Sequence, residues 1–289
     1  MSGDRIRKPM YAREDMGRLV KWFFGLPLIF IIYYLLSLIM PRTGSGLRVT
    51  LILNIVSYVL FLIAATVVIT GFLKFPVKKM VSGNRAFSTK ALLVGFVTMF
   101  CLGAGTTFLK MAINPSDFSF TLSPGWPLDF LLSLILVVLA ALLEEILCRS
   151  YVAYFVNDEM ATSPKQRLIY CFASAVVFTI FHFQNPEVGG KGAIYAMVFY
   201  FVMGFSLMAV TLKTGGIEGA LGIHIGNNLV NAWLFSYTGT VLQTNSVFTE
   251  AHSIDPWMVV QSVVCIAASS FAVMRMRAVQ SSEKTAEKL

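Results

Sequence analysis

Long apolar runs separated by short polar gaps dominate the chain. Each run is close to the ~20 residues that a helix needs to cross the hydrocarbon core of a bilayer. A helix suits such runs because it satisfies its own backbone hydrogen bonds in lipid. We therefore predict about eight spanning helices, of which the fifth is the shortest: Trp22–Met40, Leu51–Phe72, Ala91–Leu109, Leu128 to about Phe155, Leu168–Phe183, Ala193–Leu212, Ile217–Tyr237 and Trp257–Met274.

Composition agrees with this pattern. The 289 residues are 56% hydrophobic and 13% charged, whereas a soluble domain carries roughly 25% charged residues. We predict an all-α fold, a polytopic transmembrane helix bundle whose surroundings are the lipid bilayer. In this interpretation residues 19–277 form a single transmembrane domain, with a basic cytoplasmic tail at 1–18 and a second cytoplasmic tail at 278–289.

The distribution of basic residues predicts the orientation of the bundle. With the N-terminus in the cytoplasm, all but four of the 23 lysines and arginines fall on the cytoplasmic side. This excess follows the positive-inside rule and indicates that both termini are cytoplasmic. It also accounts for the net charge of +8, so no nucleic-acid partner is expected. The four exceptions are Arg42, Arg48, Lys110 and Lys191.

The four cysteines lie within or beside apolar runs. They have no CxxC spacing, which predicts buried thiols rather than disulfides or a metal site. Their positions are Cys101, Cys148, Cys171 and Cys265.

Two adjacent carboxylates interrupt the fourth apolar run. Glu144 and Glu145 lie where a charge costs about 2.5–3.5 kcal/mol per residue on insertion scales, and such acids are functional by default. Glu145 precedes Arg149 by four residues, which is the favourable order for an ion pair on one helix face. Glu144 points about 100° away. We predict chemistry at Glu144 and a supporting pair at Glu145 and Arg149; the alternative is that both glutamates pair with cations in a polar seam.

Histidine occurs three times in the chain. His252 lies in a polar loop and is predicted to be an ordinary surface residue. His182 and His224 lie in apolar runs, and Asn228 follows His224 by one helical turn on the same face. Together with the glutamate pair, these residues predict a site inside the membrane. For Asn231 we expect an interhelical hydrogen bond.

Small residues repeat on the opposite side of the seventh run. Gly222 and His224 are two residues apart, which is roughly 200° around a helix. Spacing of this kind lets membrane helices pack closely. We predict that one side of this helix packs on a neighbour while the other offers polar groups to a cavity. The glycines are Gly215, Gly219, Gly222 and Gly226.

Three short motifs occur in order along the chain: Glu144-Glu145-x-x-x-Arg149, Phe178-x-x-x-His182 and His224-x-x-x-Asn228. They resemble the motifs of the CPBP family, the CAAX protease and bacteriocin-processing enzymes, which includes the type II CAAX prenyl endopeptidases. The resemblance covers about residues 128–237, the expected catalytic core. It implies an intramembrane endopeptidase that hydrolyses a peptide bond of a membrane-associated peptide or protein, either prenylated or leader-bearing.

The resemblance also implies a role for each catalytic residue. Glu144 would be the general base that activates water, and His182 would help to bind and orient that water. His224 and Asn228 would stabilise the oxyanion of the tetrahedral intermediate. No metal cofactor is implied.

The remaining motif residues would support the site. Glu145 and Arg149 would hold it together, and Phe178 would pack beneath it. Cys148 and Ser150 stand where the family commonly has a bulky apolar residue and a glycine, which leaves the catalytic set intact.

Other functions are compatible with the same residues. Two histidines and a carboxylate can hold catalytic zinc, so a zinc protease with His182, His224 and Glu144 as ligands is one alternative. A transporter or a non-catalytic membrane scaffold or regulator is another, because membrane acids and histidines also form proton relays. The breadth of the family suggests a bacterial cytoplasmic membrane, with the endoplasmic reticulum as the alternative.

Overall fold

The computed structural model describes residues 13–38, 46–156, 160, 163–190, 192–237, 239–251 and 255–286, without the side chains of 13–15 and 277–286. The predicted tails lie partly outside these residues, and His252 lies outside them. Helices account for most of the described chain: α1 Arg13–Ser37, α2 Leu47–Val67, α3 Val77–Ser82, α4 Thr89–Ile113, α5 Trp126–Glu145, α6 Tyr151–Tyr154, α7 Pro164–Phe181, α8 Ala193–Thr214, α9 Glu218–Leu229 and α10 Pro256–Ala286.

Six described helices are long and apolar enough to cross a membrane: Met16–Ser37, Leu47–Phe72, Thr89–Ile113, Trp126–Tyr154, Ala193–Thr214 and Pro256–Met276. They correspond to six of the eight predicted runs, and the fifth and seventh runs form the shorter helices α7 and α9. The predicted all-α polytopic bundle is confirmed, and the chain is an integral, multi-pass membrane protein. The number of eight spans and the cytoplasmic placement of both termini stay predictions.

The described residues include three π-helical turns. These turns follow α2 at Val68–Phe72, join α5 to α6 at Ile146–Ser150 and follow α9 at Val230–Leu234. A π turn inserts a residue into the helical repeat, and such turns are frequent at functional sites. Two of the three adjoin the helices that carry the predicted catalytic motifs.

A small sheet, which the apolar pattern did not predict, joins the segment between α4 and α5 to the segment between α9 and α10. Its strands are β1 (Phe118–Phe120), β2 (Phe235–Tyr237) and β3 (Phe248–Glu250), in the order β1-β3-β2. Strand β3 pairs antiparallel with β1 and parallel with β2. Three residues are too few to show the alternation that identifies a strand in sequence.

Helices α4 and α9 pack backbone to backbone. A β-carbon at Gly226 would lie 2.8 Å from the Phe96 carbonyl oxygen, and one at Gly95 would lie 2.5 Å from the Gly219 carbonyl oxygen. Gly222 faces the Leu92 carbonyl still more closely. The predicted close packing of the glycine side of α9 is therefore confirmed.

Helix α7 is held in a similar way against α8. It begins at a capping box in which Ser163 and Gln166 satisfy each other's backbone N–H groups. Near its other end, a β-carbon at Gly204 of α8 would lie 2.7 Å from the Cα of Ala175. The close approach places the last turn of α7, with Phe178, next to the interior of the bundle.

The cysteines are free, as predicted. Cys148, Cys171 and Cys265 are buried, whereas Cys101 is exposed on α4, so the expectation of a buried thiol is wrong at Cys101. The periodicity of an apolar run does not tell which side of the helix faces lipid.

The contact between α4 and α9 generates a stability prediction. We expect Gly222→Ala to lower the free energy of unfolding by about 1–3 kcal/mol, because the new methyl group overpacks against a backbone carbonyl. Thermal unfolding in detergent micelles measures the change. Gly105→Ala is the matched control, since its β-carbon would meet open space and should stabilise α4 by up to about 1 kcal/mol. Equal melting temperatures for the two variants would contradict the packing.

Candidate active site

Glu144 and Glu145 are the last two residues of α5, directly before the π turn. The side chain of Glu145 is fully buried, whereas that of Glu144 is 19% exposed. The neighbouring carboxylates therefore face different surroundings, as the 100° step of the helix predicts. Glu145 lies among protein groups, and Glu144 faces a cavity.

The Glu144 carboxylate lies between two imidazoles. Its Oε2 atom is 3.7 Å from Nε2 of His182 and 3.6 Å from Nε2 of His224. His182 caps the C-terminus of α7, and His224 lies in the second turn of α9. Three helices that are distant in sequence thus bring one acid and two ring nitrogens together.

The other nitrogen of each imidazole fixes the ring. Nδ1 of His182 lies 2.7 Å from the Phe178 carbonyl oxygen, and Nδ1 of His224 lies 2.8 Å from Oε1 of Glu145. A carbonyl and a carboxylate oxygen can only accept, so Nδ1 donates in both rings. Each Nε2 atom is therefore directed towards Glu144.

Arg149 lies between the Glu145 carboxylate and the Phe178 ring. Its Nη2 atom is 3.0 Å from Oε1 of Glu145, and both side chains are completely buried. The guanidinium carbon lies 4.5 Å from the centre of the Phe178 ring. The structure contains the predicted ion pair of Glu145 and Arg149. The Phe178 ring contacts both imidazoles, with 4.3 Å to the ring centre of His182 and 5.8 Å to that of His224. The supporting roles of these residues stay predictions.

A cavity of about 730 Å³ lies in front of the two imidazoles. Glu144, His182, His224 and Asn228 all line it. Oδ1 of Asn228 accepts a hydrogen bond from Nδ2 of Asn227 at 3.0 Å, which leaves the NH₂ group of Asn228 as a donor. The structure thus brings the four predicted catalytic residues to one cavity, although their roles stay predictions.

The expectation for Asn231 is wrong. Its Nδ2 atom donates to the carbonyl oxygen of Asn227, one turn back in the same helix, rather than to another helix. Asn231 also lines the cavity. A side-chain amide in a helical segment can bond to the backbone one turn back, and spacing alone does not distinguish this from an interhelical bond.

Several residues that line the cavity were not predicted by any pattern in the sequence. The ring of Tyr200 stacks on His182 with 4.1 Å between ring centres, and its hydroxyl accepts from Nδ2 of Asn185 at 3.0 Å. Tyr58 of α2 and Glu187 also line the cavity. An isolated tyrosine in an apolar run, or one acid in a loop, gives no pattern that would identify it.

The zinc alternative concerns the same three side chains. Among the described residues, no group of three or more His, Cys, Asp and Glu side chains has a geometry that could hold a metal ion. The three side chains named in the zinc alternative do lie close together: Oε2 of Glu144 is 3.7 Å from Nε2 of His182 and 3.6 Å from Nε2 of His224.

The buried ion pair generates a second stability prediction. Arg149→Met should cost about 3–5 kcal/mol of folding free energy, because it leaves the Glu145 carboxylate buried without its countercharge. The double variant Glu145→Gln/Arg149→Met is the control and should recover most of this loss, since no unpaired charge remains. Unfolding in detergent micelles measures all three proteins. A double variant as unstable as Arg149→Met would contradict the explanation by charge.

Comparison with known proteins agrees with the motifs. Residues 125–230 match the profile of the family described as Type II CAAX prenyl endopeptidase Rce1-like. A relative from Bacillus subtilis (strain 168), named uncharacterized protein YyaK, is 28% identical over 183 residues. The alignment covers 63% of this chain and 60% of the relative, so the chain spans less than two thirds of the relative's length. No solved structure matches. The resemblance to the CPBP enzymes is confirmed for the segment that holds the glutamates, both histidines and Asn228, because residues 125–230 match the Rce1-like type II CAAX prenyl endopeptidase model.

Proposed function

We propose that this protein is an intramembrane endopeptidase in which Glu144 activates a water molecule. The observation that carries the proposal is the convergence of Glu144 Oε2 with the Nε2 atoms of His182 and His224, within 3.7 Å, at the wall of the large cavity. Peptide hydrolysis needs an activated water and donors aimed at the developing negative charge. The Rce1-like match supports the same reaction class.

The first step is an attack by water. Glu144 removes a proton from the water while the oxygen forms a bond to the carbonyl carbon of the peptide. The hydrogen bond from Nδ1 of His182 to the Phe178 carbonyl directs Nε2 of the same ring towards this water. Nε2 accepts a hydrogen bond from the second O–H group of the water and so orients it. Because the nucleophile is water, no covalent acyl-enzyme forms.

The second step stabilises and then resolves the tetrahedral intermediate. The NH₂ group of Asn228 donates to the oxyanion, and so does Nε2–H of His224 in its protonated form. Glu144 then returns its proton to the departing amine nitrogen as the C–N bond breaks. The products are a carboxylate and an amine, and the glutamate is regenerated.

The substrate is a membrane-associated peptide or protein. The name of the matching family points to CAAX prenyl peptides, and a leader-bearing peptide is the other candidate from the resemblance. The Bacillus relative favours a bacterial cytoplasmic membrane for this chain. The cavity is large enough for an extended segment of several residues, since its volume lies within the range of ligand sites.

Replacing the proposed base generates the central test. Glu144→Gln keeps the size of the side chain and removes the base, so we expect a loss of about 10²–10⁴-fold in turnover. Comparing the membrane proteomes of cells that carry the native protein and the variant identifies peptides whose cleavage depends on Glu144. Turnover is then measured on one of these peptides with purified protein.

Tyr58→Phe is the matched control, because Tyr58 lines the same cavity and has no part in the mechanism. Its turnover should stay within tenfold of the native value. Biological activity that persists unchanged in Glu144→Gln would overturn the proposal and favour a non-catalytic scaffold.

Metal removal tests the zinc alternative. Since the proposed mechanism runs through Glu144 and its two imidazoles, purified protein treated with a chelator should retain its full turnover. The measurement is turnover before and after treatment, with the metal content determined in the same samples. Activity that is lost on chelation and restored by zinc would replace the glutamate mechanism with the zinc mechanism.

A further inference from the structure

We propose that Glu187 forms a second, anionic subsite in the catalytic cavity, which binds an ammonium or guanidinium group of the peptide substrate. This inference rests on the proposed endopeptidase function and names the chemical class of its substrate, a peptide with a basic side chain near the cleaved bond. Glu187 lies outside the three catalytic motifs, in the short 3₁₀ turn Pro186–Gly189.

The subsite is connected to the catalytic residues through Tyr200. The Tyr200 ring stacks on His182, and its hydroxyl accepts from Asn185, two residues before Glu187. Glu187 and Glu144 line the same cavity. A bound peptide could therefore contact both carboxylates at once.

The Glu187 carboxylate is held in one orientation. Its Oε1 atom accepts from the Tyr237 hydroxyl at 3.0 Å and from the Val241 backbone N–H at 2.8 Å. Its Oε2 atom has no hydrogen-bond partner among the described residues. The residue is only 6% exposed. A rigid acceptor with an unused oxygen suits a charge-assisted hydrogen bond from a substrate cation.

Within the described residues, no countercharge compensates the Glu187 carboxylate. No lysine, arginine or histidine of the described chain forms an ion pair with it. Burying a carboxylate without a countercharge is unfavourable. A cation carried by the substrate would supply the missing charge each time the cavity is occupied.

The charged residues that line the cavity disfavour a negatively charged ligand. Glu144 and Glu187 are its charged acids, and no lysine or arginine is among the described residues that line it. A CAAX peptide ends in a carboxylate, which would be a third negative group in the cavity. The charge distribution therefore favours an internal or basic segment over a free C-terminus close to the cleaved bond.

Binding of matched peptides tests the proposal without turnover. The probes are apolar decapeptides, N-acetylated and C-amidated, that differ only in one central residue: lysine, arginine, norleucine or glutamate. The protein is the full chain with Glu144→Gln, which prevents cleavage and removes the other carboxylate. We expect the lysine and arginine peptides to bind at least about tenfold more tightly than the norleucine peptide, or about 1.4 kcal/mol, and the glutamate peptide to bind more weakly.

Adding Glu187→Gln should abolish this preference, because the amide keeps an acceptor for Tyr237 and Val241 but carries no charge. Asp117→Asn is the matched control, since Asp117 does not line the cavity, and it should leave the preference unchanged.

Three results would each overturn the proposal: no binding of the lysine peptide, equal affinities for the lysine and norleucine peptides, or a preference that survives Glu187→Gln. The first two need only the Glu144→Gln chain, so they hold even if the Glu187 variant does not fold. Failure of the endopeptidase proposal is a separate result, because it is measured by Glu144-dependent cleavage rather than by binding.

Discussion

The site depends on one fully buried carboxylate, that of Glu145. Its Oε1 atom accepts from Nδ1 of His224 and lies 3.0 Å from the Arg149 guanidinium. A charge inside a membrane protein is tolerated when it is paired within the protein. The pairing joins α5, the π turn that follows it and α9, and it turns the free nitrogen of His224 towards Glu144. The same carboxylate oxygen therefore forms the ion pair with Arg149 and fixes the orientation of the His224 ring.

Close backbone contacts bring the helices near enough for this pairing. Gly222 and Gly226 place α9 against α4, and Gly204 places α8 against α7. Lipid supplies no hydrophobic force between helices, so their association depends on such tight packing. A catalytic arrangement loses activity when its groups move by about 1 Å. The glycines therefore contribute to the geometry of His182 and His224 without touching either ring.

The cavity combines aromatic surfaces with two carboxylates. Aromatic side chains such as Phe181, Phe199 and Tyr200 line part of it, and the carboxylates of Glu144 and Glu187 line another part. Apolar walls exclude bulk water and strengthen the electrostatic interactions inside. The two carboxylates differ in their neighbours: Glu144 lies beside imidazoles, whereas the described donors to Glu187 are neutral groups. This difference separates a group suited to proton transfer from one suited to holding a cation.

Apolar length and the 100° step within a single helix were enough to predict the membrane class, six of the long helices, the Glu145–Arg149 pair and the two faces of α9. The order of the three motifs along the chain also predicted Glu144, His182, His224 and Asn228 as site residues, and the structure places all four at one cavity. Packing between helices sets which imidazole nitrogen faces Glu144 and where His182 lies relative to α5, and no pattern in the sequence indicated either. The three-dimensional arrangement was also needed to show that Asn231 bonds to the backbone of Asn227. The three-residue strands, Tyr200 and Glu187 likewise became visible only there. Distances between helices are set by packing among residues far apart in sequence, and no periodicity along one helix encodes them.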